Sequence, residues 1–166
     1  MEFHGLIHQF PKEIKLLICV FVSILSIGFF GGLSFVNSTT HMKPSGIETH
    51  YLGNENDEEA EVMKFKKNER EMLTVVHNHI MSMSVIFLLL GLLVSTTSLN
   101  KKFKYFLIIE PFVSLVLTFG GIYILWIGVT WFKYIVLFSG ILMTLTFLMA
   151  VLAIIQQLYF SKSIKI

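Results

Sequence analysis

Four long apolar segments, almost free of charged residues, constrain this chain more than any other feature. Each is at least 21 residues long, and about 20 apolar residues are enough to cross the hydrocarbon core of a bilayer. Because lipid offers no partners for backbone polar groups, a spanning segment must form a helix. We therefore predict an all-α integral membrane protein built as one antiparallel four-helix bundle. The predicted spans cover residues 16–36, 75–98, 105–127 and 134–159.

The composition narrows the possible partners and activities. Only 14% of the 166 residues are charged, against about 25% in soluble domains. The net charge is +2 and no basic stripe follows a helix face, so nucleic acid is not an expected partner. The sequence has no P-loop, nucleophile elbow or HExxH motif, so we do not expect catalysis by this chain alone. The expected partners are the lipid bilayer and other membrane subunits or further copies of this chain.

One long polar segment, residues 37–71, separates the first two spans and is expected to lie outside the membrane. It holds eight acidic and five basic residues. Pro-Ser-Gly at residues 44–46 predicts a turn. Residues 54–70 place acidic residues before basic ones, which is the order that complements a helix dipole. We therefore expect a surface helix over residues 54–70 that runs into the second span.

Basic residues in the short connections predict the orientation in the membrane. Lys101, Lys102 and Lys104 lie between the second and third spans, whereas Lys133 alone lies between the third and fourth. Cytoplasmic loops are enriched in lysine and arginine. We therefore expect both termini in the cytoplasm and residues 37–71 outside, in a bacterial inner membrane.

Polar and small residues recur on one side of the second span. At 3.6 residues per turn they share a helix face, and a polar stripe in a membrane helix normally turns toward other protein. We therefore expect His77 to point into the bundle. His79, about 200° further around the helix, is expected to face lipid or a partner chain. The stripe consists of His77, Met81, Ser84, Leu88, Gly91 and Ser95.

The third and fourth spans carry similar stripes, and the third includes Glu110, the only acidic residue inside a span. A carboxyl group in a membrane is costly, which points to a function. Glu110 is expected to relay protons, bind a cation or accept a partner's hydroxyl; a structural role bonded to Ser114 is the alternative. The stripes are Glu110, Ser114, Thr118 and Gly121 in the third span and Ser139, Met143, Thr146, Ala150, Ala153 and Gln157 in the fourth.

Four of the six histidines, His41, His50, His77 and His79, gather at the predicted outer membrane face. Imidazole is the commonest metal ligand and an axial ligand of haem. His77 is the main candidate ligand, with His50, His79 or Met81 completing a site for haem b or a transition metal. The alternative is that these histidines are interfacial and bond to loop carbonyls.

The motif HYxGN at residues 50–54, followed by HxH at residues 77–79, resembles small four-span bacterial membrane proteins without an assigned activity. The resemblance covers residues 46–150 and implies a four-span membrane protein. The architecture also resembles respiratory cytochrome b subunits, which hold haem between histidines of facing helices. Because the first, third and fourth spans contain no histidine, a second haem ligand would have to come from the loop, as His50 does.

These patterns lead to three functional hypotheses. The first is a haem- or metal-binding accessory subunit of a membrane redox or respiratory assembly, with His77 as a ligand. The second is a non-catalytic structural or assembly subunit whose stripes pack against other chains. The third is a small proton- or ion-coupled transporter, which rests on Glu110 alone.

Overall fold

The computed structural model describes residues 5–55, 57 and 62–159. Within these ranges the chain is helical and contains no strand, which confirms the predicted all-α class. Four of the helices are long and apolar enough to cross a membrane, as predicted. The elements are a 3₁₀ turn at Ile7–Gln9 and the helices α1 (Lys12–Thr40), α2 (Pro44–Leu52), α3 (Glu69–Ser95), α4 (Lys101–Trp126) and α5 (Phe132–Tyr159).

The four long helices extend past the predicted spans. They contain 26 to 29 residues, which corresponds to about 39–44 Å at 1.5 Å per residue. The hydrocarbon core of a bilayer is only about 30 Å thick. Each helix therefore carries roughly one to two turns beyond the apolar core, where its polar end residues meet the headgroup region.

Local capping explains where α3 and α4 begin. Asn68 and Glu71 form a capping box, in which the Asn68 side chain accepts a hydrogen bond from Glu71 N and the Glu71 carboxylate accepts one from Asn68 N. At α4, the Asn100 side chain accepts a hydrogen bond from Lys102 N, 2.9 Å away. Such caps satisfy backbone donors that the first helical turn leaves free, so each helix starts directly after its asparagine.

The spanning helices do not contribute equally to the interior. α4 lies between its antiparallel neighbours α3 and α5, and half of its membrane-length window is buried. In α1 only 11% of the corresponding window is buried. α1 instead packs mainly on α2 and contacts α5, where Phe29 stacks on Phe147 with 3.9 Å between ring centroids. The bundle is thus a core of α3, α4 and α5, with α1 attached through α2 and α5.

The extramembrane segment folds differently from the prediction. The helix lies at Pro44–Leu52, where a turn was predicted, because proline is well tolerated in the first turn of a helix. The predicted surface helix over residues 54–70 is wrong at residues 62–68, which are not helical. Residues 56 and 58–61 lie outside the described part of the chain. The order of acidic and basic residues stabilises a helix only weakly. Contacts with the rest of the protein determine the conformation of residues 62–68 instead.

We call α2 and the described residues 53–55, 57 and 62–68 the cap, because they cover the C-terminal end of α4 and the N-terminal end of α5. The Lys133 ammonium donates to the Glu48 carboxylate over 2.5 Å. The Trp126 indole donates to the Lys67 carbonyl over 2.7 Å, and the Lys66 ammonium lies 5.0 Å from the Trp126 ring centroid. These contacts hold the cap against the last residue of α4 and the first turn of α5.

Candidate functional site

His77 is exposed on the outside of α3, so the prediction that it points into the bundle is wrong. Most of the polar stripe of α3 is exposed, but Ser84 and Gly91 are partly buried, and a Cβ on Gly91 would lie 3.8 Å from the Ile108 side chain of α4. The hydroxyls of Ser84 and Ser95 need no partner on another helix, because each donates to a carbonyl of α3 at 2.6 Å. The buried side of α3 is apolar and consists of Met72, Phe87, Leu90 and Val94.

His79 lies on the side of α3 that faces α4, which is also opposite to the prediction. Its ring stacks on Phe119 of α4, with centroids 4.5 Å apart and planes 21° apart. Its Nδ1 is 2.8 Å from the Val75 carbonyl, one turn earlier in the same helix. The remainder of the side chain is exposed. His79 therefore contributes to the packing of α3 on α4.

His50 lies in α2 and is partly buried against Tyr51, with the two rings at 87° and 4.8 Å between centroids. Burial lowers the pKa of His50, and the nearby positive charges of Lys67 and Lys64 lower it further. Burial also raises the pKa of Tyr51 to about 12. Both effects favour neutral side chains in this part of the cap.

The predicted ligands do not form one cluster. Met81 is 60% exposed on the outer side of α3, away from His79. Within the described ranges, no hydrogen bond or ring contact joins His50 to His77, and no group of three histidine, cysteine or acidic side chains is placed to hold a metal ion. Binding of haem b or a transition metal by His77, His50, His79 and Met81 stays a prediction.

The glycine and asparagine of the HYxGN motif have a clear structural role. The Asn54 side chain accepts a hydrogen bond from Lys64 N at 2.6 Å and donates one to the Val62 carbonyl at 3.0 Å. Gly53 has φ +81°, and a Cβ there would lie only 2.6 Å from the Lys64 carbonyl oxygen. Residues 62–66 therefore lie directly against Gly53 and Asn54. A Gly-Asn pair after a short helix is the sequence signal for such a turn.

Glu110 and Ser114 are buried together inside α4, as the predicted stripe requires. Their exposed fractions are 8% and 1%. The Ser114 hydroxyl donates to Oε1 of Glu110, whereas the buried Oε2 has no hydrogen-bond partner. One turn further along, Thr118 and Ser139 of α5 share a hydrogen bond of 2.7 Å. The polar stripes of α4 and α5 thus meet inside the bundle.

Lys104 is not available to neutralise Glu110. Its ammonium donates to the carbonyls of Ser95 and Thr97, at 3.1 and 2.6 Å. These carbonyls lie at the C-terminal end of α3, where the helix dipole favours a positive charge.

Comparison with known families gives the coarse identity of the chain. Residues 41–165 match the Aq_1264_TM family, described as a transmembrane helical domain. The chain belongs to this family. The match confirms the predicted transmembrane class and begins directly after α1, so α2 to α5 make up the family domain. The comparisons with curated proteins and with solved structures found no significant match. The HYxGN and HxH motifs as marks of a bacterial family stay a prediction.

Replacing Glu110 tests how its buried carboxyl is held. In Glu110→Gln an amide oxygen can still accept from Ser114, so we expect the fold to be kept. Glu110→Leu should lower the free energy of unfolding by about 1–3 kcal/mol relative to Glu110→Gln, because the Ser114 hydroxyl loses its acceptor. Thermal unfolding in detergent measures the difference. Ile109→Leu, at a neighbouring side chain that is 58% exposed, is the control and should change little. Equal stability of the two Glu110 variants would contradict a structural role for this contact.

Proposed function

We propose that the chain is a non-catalytic subunit of a membrane protein assembly and docks through one side of α3. This surface, the α3 outer face, shares a single helix side and is exposed along its length. It lies opposite the residues of α3 that pack on α4. The α3 outer face consists of Thr74, His77, Asn78, Met81, Val85, Leu88 and Leu92.

The observation that carries the proposal is the exposure of His77 and Asn78 at membrane depth. α3 has 27 residues and is about 40 Å long, so it exceeds the hydrocarbon core by about 10 Å. The predicted second span begins at residue 75. His77 and Asn78 follow that position by two and three residues, which places them about 3–5 Å inside the apolar core.

Neither of these two side chains has a hydrogen-bond partner within the described part of the chain. A polar group that faces lipid without a partner is costly. The serines of the same helix avoid this cost through their own backbone carbonyls. A second protein surface that offers partners to His77 and Asn78 would remove the cost. This supports docking of another subunit, or another copy of this chain, on the α3 outer face.

The free imidazole of His77 also supports a second candidate, a haem- or metal-binding accessory subunit of a redox assembly. In this version His77 is a ligand at the boundary with the partner. Purified complexes would then show a haem absorption band or a bound transition metal, and His77→Ala would remove it while His79→Ala would not. A complex that shows neither a haem absorption band nor a bound metal would support only the structural role.

Site-specific photo-crosslinking tests the docking surface. We expect a benzoylphenylalanine at Met81, which is 60% exposed, to capture a protein in native membranes. The matched control is Leu145, which is 49% exposed on α5 and lies at a similar depth, about 18–20 Å from the start of its helix. Adducts should be protein at Met81 and lipid at Leu145, as read by gel mobility and mass spectrometry.

The double substitution His77→Leu and Asn78→Leu sharpens this test. It removes the polar groups that a partner would satisfy, so the protein adduct at Met81 should decrease. If the α3 outer face simply contacts lipid, the double variant should leave the adducts unchanged and stabilise the protein. Lipid adducts at Met81 in the unmodified chain would contradict the proposed function.

A further inference from the structure

The buried side of α4 has more hydrogen-bond acceptors than donors around Glu110. Oε1 of Glu110 accepts from Ser114, but Oε2 is buried and has no partner. Pro111 follows within the same helix and has no N–H, so the Leu107 carbonyl loses its usual intrahelical donor. Leu107 is only 2% exposed. Two oxygens within one helical turn thus lack a normal donor.

Among the described residues, no ion pair or hydrogen bond brings a positive charge to this position. Lys104, the nearest lysine on α4, is bonded to the end of α3. Glu110 is the tenth residue of α4, about 14 Å from its start. Every other charged residue of the spanning helices lies in the first turn of its helix. These residues are Lys12, Glu13 and Lys15 of α1, Glu69, Arg70 and Glu71 of α3, Lys101, Lys102 and Lys104 of α4, and Lys133 of α5.

In the described part of the chain, the helices that contact α4 offer no compensation either. On α2, Glu48 pairs with Lys133 and His50 lies against Tyr51. On α5 no charged residue follows Lys133 within the helix. On α3 the only titratable groups after the first turn are His77, which is exposed on the outer face, and His79, which stacks on Phe119. A buried carboxyl oxygen without a donor or counter-charge is too costly to remain unsatisfied in the membrane interior. It points to a ligand that carries positive charge.

We propose that Glu110 binds a monovalent cation inside the bundle, through its free Oε2 and the Leu107 carbonyl. The cation is a proton or a small metal ion, since only a compact species fits between packed helices. Ser114 positions the carboxyl by holding Oε1. The hydrogen-bonded hydroxyls of Thr118 and Ser139 lie one turn beyond Ser114, toward the cap, and extend this row of polar side chains. This site is separate from the α3 outer face and does not depend on a partner.

Labelling with a hydrophobic carbodiimide tests the site in the purified full-length protein in mixed micelles. The reagent adds to a carboxylic acid, and the intact mass then rises by one reagent molecule. We expect one labelled site, which is absent in Glu110→Gln and retained in Glu13→Gln, where an exposed carboxyl at the start of α1 is removed. Ser114→Ala keeps the carboxyl and should still be labelled. Peptide mass mapping of this labelled variant should place the label on Glu110, which tests the site independently if Glu110→Gln folds poorly.

The same reaction distinguishes the two cations. Sodium or lithium at ~10 times its dissociation constant should slow labelling about tenfold relative to choline at equal ionic strength, if the ligand is a metal ion. Labelling that no metal cation slows identifies the proton as the ligand. Wild-type protein that is not labelled, or label that persists in folded Glu110→Gln, would overturn the proposal.

Discussion

Gly53→Ala is expected to lower the free energy of unfolding of the cap by about 3–5 kcal/mol. Gly53 has φ +81° and ψ −178°, a conformation that is almost restricted to glycine. An added Cβ would also lie 2.6 Å from the Lys64 carbonyl oxygen and 2.7 Å from Lys66 N. The Lys64 carbonyl accepts a hydrogen bond from Asn54 N at 2.9 Å and Lys66 N donates to the Glu55 carboxylate at 3.2 Å, so neither atom can move aside without opening the cap.

Gly128→Ala is the matched control for this prediction. Gly128 also has a positive φ, +111°, but a Cβ there meets no atom within 4 Å. Gly128→Ala should therefore lower the free energy of unfolding only by the cost of the positive φ angle, about 1–2 kcal/mol. Limited proteolysis of residues 53–68 and thermal unfolding in detergent measure both variants. If the two alanine variants behave alike, the close contact between Gly53 and residues 64–66 does not contribute to stability.

Phe147→Ala is expected to lower the free energy of unfolding by about 3–5 kcal/mol, the range for a buried phenylalanine. Phe147 is 1% exposed, and its ring stacks on Phe29 with planes 5° apart. Helix association in a membrane depends on such packing, because lipid is as apolar as the protein interior. Since only Ile18, Val22 and Thr40 of α1 are buried and Phe29 is partly buried, the variant should also separate α1 from α5.

The separation can be measured directly. Cysteines at Ile24 of α1 and Leu152 of α5, which are 64% and 65% exposed, report the spacing of the two helices by spin-label distances in a Cys19→Ser background. We expect the distance distribution to broaden in Phe147→Ala. Phe138→Ala, at a ring that is 68% exposed on the same helix, should change stability by less than about 0.5 kcal/mol. An unchanged distance distribution in Phe147→Ala would show that α1 is held by other contacts.

Some of the candidate sites could be predicted from local spacing. Glu110 and Ser114 are four residues apart, which places them on one face of any helix that contains both. An acid in a membrane span must turn inward to protein, so their burial follows from sequence. All of the α5 stripe except Gln157 is buried, and its Ser139 meets Thr118 across the helix interface.

The direction of α3 could not be predicted in the same way. Its stripe of small and polar residues suggested an inward face, yet Ser84 and Ser95 are satisfied within their own helix. Once the hydroxyls have partners, packing determines the buried side. Phe87, Leu90 and Val94 then provide the larger apolar surface against α4.

The sequence alone determined the class, the number of spanning helices and the burial of Glu110, because a bilayer requires every apolar segment to satisfy its backbone internally. Only the tertiary structure decided which histidine faces α4, how loosely α1 is attached and where the cap helix lies. These features depend on contacts between residues far apart in the chain, such as Phe29 with Phe147 and Trp126 with Lys67. Helical periodicity describes the faces of one helix but contains no information about which neighbour will cover them.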